Sequence, residues 1–213
     1  MSRLVSLHAG GTRESWQSLG LSFTGDVCLL ADVELIVHGS TPGLHGWTIE
    51  SNSHVSPETH LEIDGIATTI VSAAPAQPTQ SVIGRQKIVG LDHVVVNTND
   101  IDRTCEAITA ALGLEVRRER DLGNGVKQRF HKLENTIIEV VTGPHITGDT
   151  ASLWGMVASI DDLFDLAEEL GEDITSPPKK ATQPGRYIST VRGSVGLGVP
   201  FALMTPHVGR SDS

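Results

Sequence analysis

From Ile88 onward the chain runs twice through one order of elements: strand, helix, strand, strand, strand. No other feature narrows the fold so far. Ile88 to Val96 alternates and is rich in β-branched residues, which predicts a strand. Asn97-Thr98-Asn99-Asp100 supplies helix N-cap chemistry, and Ile101, Cys105, Ile108 and Leu112 then recur on one helical face. Gly113 stands where a left-handed helix end is expected. Three strands follow, over Glu115 to Arg120, Val126 to Leu133 and Thr136 to Val141, with turns at Gly123-Asn124-Gly125 and Glu134-Asn135.

The order then repeats. Leu153 to Ser159 reads as a strand and Asp161 to Leu170 as a helix ended by Gly171. Strands follow over Ile174 to Lys180, which prolines interrupt, Arg186 to Arg192 and Val199 to Met204. The two units align: Asn99-Asp100-Ile101 falls on Ile160-Asp161-Asp162, and Thr136-Ile137-Ile138-Glu139-Val140 on Val199-Pro200-Phe201-Ala202-Leu203.

The first 72 residues read as a degenerate copy of the same plan. Leu4 to His8 reads as a strand, Arg13 to Leu19 as a short helix and Val27 to Val37 as a hairpin, with the second helix missing. Leu44-His45-Gly46-Trp47 echoes Leu153-Trp154-Gly155-Met156, and Asp64-Gly65-Ile66-Ala67 echoes Leu197-Gly198-Val199-Pro200. Ala73-Ala74-Pro75-Ala76-Gln77-Pro78 has linker composition. The expected organisation is therefore 1–72, a linker over 73–87, and 88–207 containing units 88–143 and 152–206. The fold class is α+β, with tandem βαβββ units forming a cupped mixed sheet and helices outside it.

A formal charge of −10 argues against a nucleic-acid surface, which needs a basic stripe. No apolar run is long enough to span a membrane, and the first residues lack a signal-peptide core. A cytoplasmic location is the expectation. Cys28 and Cys105 form no CxxC pair and read as buried free thiols.

Tandem units opened by Leu91-Asp92-His93 and closed by Ile137-Ile138-Glu139-Val140 resemble the vicinal oxygen chelate superfamily, which includes glyoxalase I, extradiol dioxygenases and bleomycin-resistance proteins. The resemblance implies a ligand on the concave face of the sheet. It also implies a divalent metal (Zn, Ni, Mn or Fe) held by a His on the first strand and a Glu on the last. His93 and Glu139 stand at those places in the first unit. In the second unit Gly155 and Ala202 replace them, which leaves two donors where a bound metal needs three.

Counting outward from a two-residue turn at Glu134-Asn135 sets Phe130 opposite Glu139 and His131 opposite Ile138, on the other face. Gln128, Phe130 and Lys132 then share a face with Glu139, and aligning the units adds Arg186, Ile188, Thr190 and Arg192. Lys132, Arg186 and Arg192 on one concave surface suggest an anionic ligand, because guanidinium forks match carboxylate and phosphate. The remaining histidines read as surface, loop or satisfied core residues.

The first expectation is thus a glyoxalase-like protein that binds a small anionic metabolite at a degenerate metal site. One rival is a metal-dependent lyase, isomerase or dioxygenase acting on vicinal oxygens, with Glu139 moving a proton. Another is a non-catalytic module for sequestration or regulation. A homodimer is compatible with each.

Overall fold

The computed structural model describes residues 2–51, 58–72, 81–83 and 85–207. The N-terminal part contains β1 (Ser2–Gly10), α1 (Arg13–Gln17), β2 (Phe23–Thr24), β3 (Val27–Leu30), β4 (Val33–Val37), β5 (Gly43–Ser51), β6 (Glu58–Ile63) and β7 (Ile66–Ser72). These strands form one sheet in the order β2-β3-β4-β1-β5-β7-β6.

The C-terminal part begins with β8 (Ser81–Ile83), β9 (Gln86–Asn97), α2 (Ile101–Leu112), β10 (Val116–Gly123), β11 (Val126–Lys132) and β12 (Ile137–Thr142). It continues with β13 (Ser152–Ile160), α3 (Leu163–Leu170), β14 (Lys179–Lys180), β15 (Tyr187–Thr190) and β16 (Phe201–Met204). The second sheet runs β10-β11-β12-β9-β13-β16-β15-β14, with β8 paired to β9.

The two sheets follow one plan. In each, the first strands of the two halves meet antiparallel at the centre, β1 with β5 and β9 with β13. In each, the last strand of a half runs parallel to its first: β4 with β1, β7 with β5, β12 with β9, and β16 with β13. The fold is thus mixed α+β with tandem βαβββ units, and the N-terminal part repeats their strand order. The interval expected to lack a second helix falls on 52–57, outside the described residues.

Local chemistry explains the first clear unit. Asp100 caps α2 by accepting the Arg103 amide at 3.0 Å, and Gly113 ends it at φ 66°, a left-handed conformation that only glycine adopts freely. The apolar face of α2 sits over alternate residues of the sheet. Val94, Val96, Ile138 and Val140 are fully buried with Ile108, each contributing roughly 1.5–3 kcal/mol by leaving water. His93, Val95, Ile137 and Glu139 alternate with them and face the other way.

One hydrophobic cluster runs through both sheets. Trp16 on α1 packs against Phe201 on β16, with ring centroids 5.5 Å apart. Asp64, in the β6–β7 turn, accepts from Arg103 Nε at 2.8 Å and from Thr104 Oγ1 at 2.5 Å, tying the N-terminal sheet to α2. Cys28 and Cys105 are free and buried, and burial pushes their thiols up to about 12 and about 11.

Two boundaries differ from the sequence expectation. The prolines of the expected linker lie outside the described residues, but 81–83 and 86–88 form a hairpin on the second sheet. Ile83 in it is fully buried, and that burial decides the matter over the neighbouring linker composition. The strand expected over Ile174 to Lys180 shrinks to Lys179–Lys180 and a single bridge between Thr175 and Val191. Pro177 and Pro178 lack the amide hydrogens that a continuous ladder requires.

Candidate functional site

The register of the central strands fixes which residues of the two units are equivalent. His93 pairs with Val157, and Val95 pairs with Gly155. A two-fold axis between β9 and β13 therefore exchanges His93 with Gly155. Glu139 lies beside Val95, and Ala202 lies beside Val157, so the same axis relates Glu139 to Ala202. Gly155 has a physical reason to be glycine: a methyl group there would stand 2.6 Å from the Pro200 carbonyl oxygen. Gly46 repeats this contact in the N-terminal sheet, at 2.8 Å from the Ala67 oxygen.

The concave face of the second sheet carries a cavity of about 630 Å³. His93, Phe130, Ile137, Glu139 and Lys132 line it, and Arg118 and Arg120 reach it from the edge strand β10. Gln183, Arg186 and His207 close the end nearer the second unit. Phe130 stands opposite Glu139, and His131 opposite Ile138. His131 also borders the cavity, but its side chain is fully buried, with Nδ1 2.8 Å from the Leu114 carbonyl.

At the floor, His93 Nδ1 donates to Asp92 Oδ1 at 2.8 Å, and a carboxylate can only accept. The other ring nitrogen, Nε2, faces Glu139 Oε2 at 3.4 Å. Gln128 Nε2 donates to the second Glu139 oxygen at 2.6 Å. Burial raises the Glu139 carboxyl above its ordinary value, while the charges of His93 and Arg120 pull it back. His93 and Glu139 thus form a half-enclosed dyad whose facing atoms suit the transfer of one proton.

Asp92 owes its position to a bulge. The register slips between Val157 and Ala158, which leaves Asp92 without a partner and turns it toward His93. Its second oxygen accepts from the guanidinium of Arg186, and both side chains are about 2% exposed. Burial alone would raise the Asp92 carboxyl, but the hydrogen bonds from His93 and Arg186 outweigh it and hold the group well below the usual range. Arg186 also donates to the Thr205 carbonyl at 2.8 Å and to Gln183.

The residues singled out from the sequence therefore separate. His93, Phe130, Lys132 and Glu139 come together at the cavity, and Gln128 holds Glu139 from beside it. Arg186 also borders it, but its fork is turned inward onto Asp92 instead of being free for a ligand. Ile188 joins Val157, Ala202 and Met204 in a small apolar patch on the same face. Thr190 and Arg192 do not belong: they border a separate surface recess, and Arg192 Nε donates to the Glu172 carbonyl. The strand expected to carry Arg192 ends at Thr190, because the chain turns into a short 3-10 helix over Gly193–Val195.

Sequence reasoning missed Arg118, Arg120, Asp92, Gln183 and His207. The arginines were within reach, since counting back across the turn at Gly123-Asn124-Gly125 pairs Arg120 with Gln128 and Arg118 with Phe130. The role of Asp92 depends on a bulge that no local pattern announces.

Does this floor fit the divalent metal that the fold implies? His93 and Glu139 offer two donors, Gly155 and Ala202 offer none, and His131 faces away. Among the described residues no group of three metal-ligating side chains converges. The donor set does not fit a metal held by the protein alone.

The concave face of the N-terminal sheet carries a second recess, of about 480 Å³, bordered by His8, His38, His45 and His60. Its positions equivalent to His93, Glu139, Gly155 and Ala202 are Ser6, Ile36, Gly46 and Thr69, as the same register pairs show. His8 lies 5.9 Å from His38, centroid to centroid, and burial together with that neighbour lowers its imidazole below the ordinary value.

No family model and no curated protein matches the chain in sequence. Among solved structures, a variant of 4-hydroxymandelate synthase from Streptomyces coelicolor matches 99% of this chain and 94% of its own, with a TM-score of 0.67 and 12% identity. Methylmalonyl-CoA epimerase from Mycobacterium tuberculosis matches 59% of this chain and 93% of its own, with a TM-score of 0.47 and 15% identity. The Streptomyces coelicolor epimerase, solved with 2-nitronate-propionyl-CoA, matches 59% and 99% respectively, with a TM-score of 0.48 and 16% identity. The whole-chain likeness shows that this protein shares the fold of that synthase.

Proposed function

We propose that the cup of the second sheet binds a small anionic metabolite, and that the His93–Glu139 dyad exchanges a proton with it. The observation that carries the binding is the cationic wall of Arg118, Arg120 and Lys132 facing the dyad in a chain of charge −10. The charge of Arg186 is already balanced by Asp92. Among the described residues Arg118, Arg120 and Lys132 form no salt bridge, though the Arg120 charge acts on Glu139, and a carboxylate or phosphate would relieve their mutual repulsion.

The proton step is supported by the position of Glu139, whose carboxyl burial raises above its ordinary value and whose Oε2 faces His93 Nε2 at 3.4 Å. In this reading Arg118 and Arg120 hold the anionic end of the ligand. Glu139 takes or returns the proton, His93 steadies the charge that develops on Glu139, and Asp92 fixes the His93 ring. No step is assigned to a metal.

A thermal-shift screen of organic acids and phosphates against matched neutral compounds tests the binding. An anion at one hundred times its Kd should stabilise by about 2.7 kcal/mol, and Arg120→Gln should remove most of that. Exchange of a ligand C–H in D2O, followed by NMR, tests the chemistry: Glu139→Gln should abolish exchange while retaining the thermal shift. Equal small shifts for charged and neutral compounds would overturn the binding proposal.

A further inference from the structure

Two rows of paired residues cross the floor of the cup. Arg118 on β10, Phe130 on β11 and Glu139 on β12 form one. Lys132 on β11, Ile137 on β12 and His93 on β9 form the other. All six line the cavity. Each row reads cation, apolar side chain, dyad residue, although the second is displaced by one strand, so the order belongs to the floor and not to any single strand. Adjacent strands lie about 4.8 Å apart, which sets cation and dyad residue roughly 9–10 Å apart at the backbone.

Phe130 and Ile137 are part-buried, and each leaves apolar surface open to the cavity. Phe130 also holds a charge at the wall: the guanidinium carbon of Arg120 stands 5.7 Å from its ring centroid, a cation–π contact. Beyond the dyad the pattern stops. The row of His93 continues through Val157 and Ala202, which are buried and pack with Ile188 and Ala181. Arg186 borders that end, but its charge is committed to Asp92. A bound anion therefore meets the cationic wall on one side of the dyad, with an apolar strip between them.

We propose that the ligand is an amphipathic organic acid whose anionic group is separated from the proton-exchanging carbon by an aromatic ring or a short methylene chain lying on Phe130 and Ile137. This rests on the anion site and the dyad of the proposed function, to which it adds a spacing. An acid that carries its charge beside the exchanging carbon would leave the strip in water and forgo the apolar contribution. In the exchange, Glu139 takes the proton of a C–H beside a ketone, the electron pair passes to the ketone oxygen, and reversal returns a solvent deuteron to the carbon.

Calorimetry of the full chain with straight-chain carboxylates from acetate to decanoate tests the spacing. Affinity should rise about twofold to fourfold with each added methylene while the strip is being covered, and then level off. Ile137→Thr keeps a β-branched residue in the strand and should flatten the rise. Lys132→Gln should weaken every member by a similar factor and leave the slope unchanged. In D2O, keto acids with the ketone far from the carboxylate should exchange the C–H beside it about tenfold or more faster than α-keto acids, each relative to its uncatalysed rate. Acetate bound as tightly as octanoate, a slope unmoved by Ile137→Thr, or exchange confined to α-keto acids would each overturn the spacing and leave the anion site standing. No binding by any member would overturn both.

Discussion

The two sheets share strand order, strand polarity and a glycine that crosses a carbonyl at the same place, yet their concave faces have almost no chemistry in common. Gly46 and Gly155 each press against the backbone of the strand beside them. In the second sheet a bulge turns Asp92 toward His93 and a buried arginine secures it. In the first, the equivalent bulge holds Val5, followed by Ser6. Backbone packing persists in both because it is needed for the sheet to close. The side chains on the hollow face are answerable only to what is bound there.

The largest effect that would break this contrast is at Arg186. Arg186→Met should destabilise the protein by about 3–5 kcal/mol, because it strands the buried Asp92 carboxylate. Urea unfolding at pH 7 measures it, and adding Asp92→Leu to the same chain should restore much of the loss. A shift below 1 kcal/mol for the single variant would mean that the second sheet is held no differently from the first.

The shared feature predicts equality. Gly46→Ala and Gly155→Ala should each cost about 1–3 kcal/mol by forcing a methyl against a carbonyl oxygen. Unfolding curves in which one substitution is silent would show that the two crossings are not equivalent.

A pH series sharpens the difference again. The Asp92 carboxyl is lowered in the folded state, so its contribution is complete above its unfolded value, about 3.9, and is lost as pH falls toward the folded value. Between pH 5 and pH 3 the stability of the native chain should fall more steeply than that of Asp92→Asn. Parallel curves would remove Asp92 from the account.

The smallest effect belongs to Glu139. Its carboxyl is raised, so the native chain loses stability as pH climbs through the unfolded value toward the folded one. Glu139→Gln should therefore raise Tm at pH 7 and leave it unchanged near pH 4. A lower Tm at pH 7 would show that the pairing with His93 outweighs the burial.

The repeat, the cupped fold and the pairing of Glu139 with Phe130 were legible because period, turn chemistry and hairpin register are local properties. The N-terminal copy was legible through Gly46 and Ala67, whose backbone contact constrains the residue types. What stayed hidden depended on irregularity. The Asp92 bulge, the inward turn of Arg186 and the departure of Arg192 from the sheet all follow from where a strand slips or stops. Local sequence sets such points only to within a few residues, while tertiary packing decides them.

The Asp92–Arg186 pair has a consequence for the making of the protein. Asp92 leaves the ribosome 94 residues ahead of Arg186. Until that arginine arrives, the Asp92 carboxylate has no guanidinium partner and the cup has no closed end. The emerging chain can form its first sheet and the first half of its second while it is still being synthesised, in the usual N-to-C order. Chains that stop before Arg186 should fail to retain an anion that chains containing it hold.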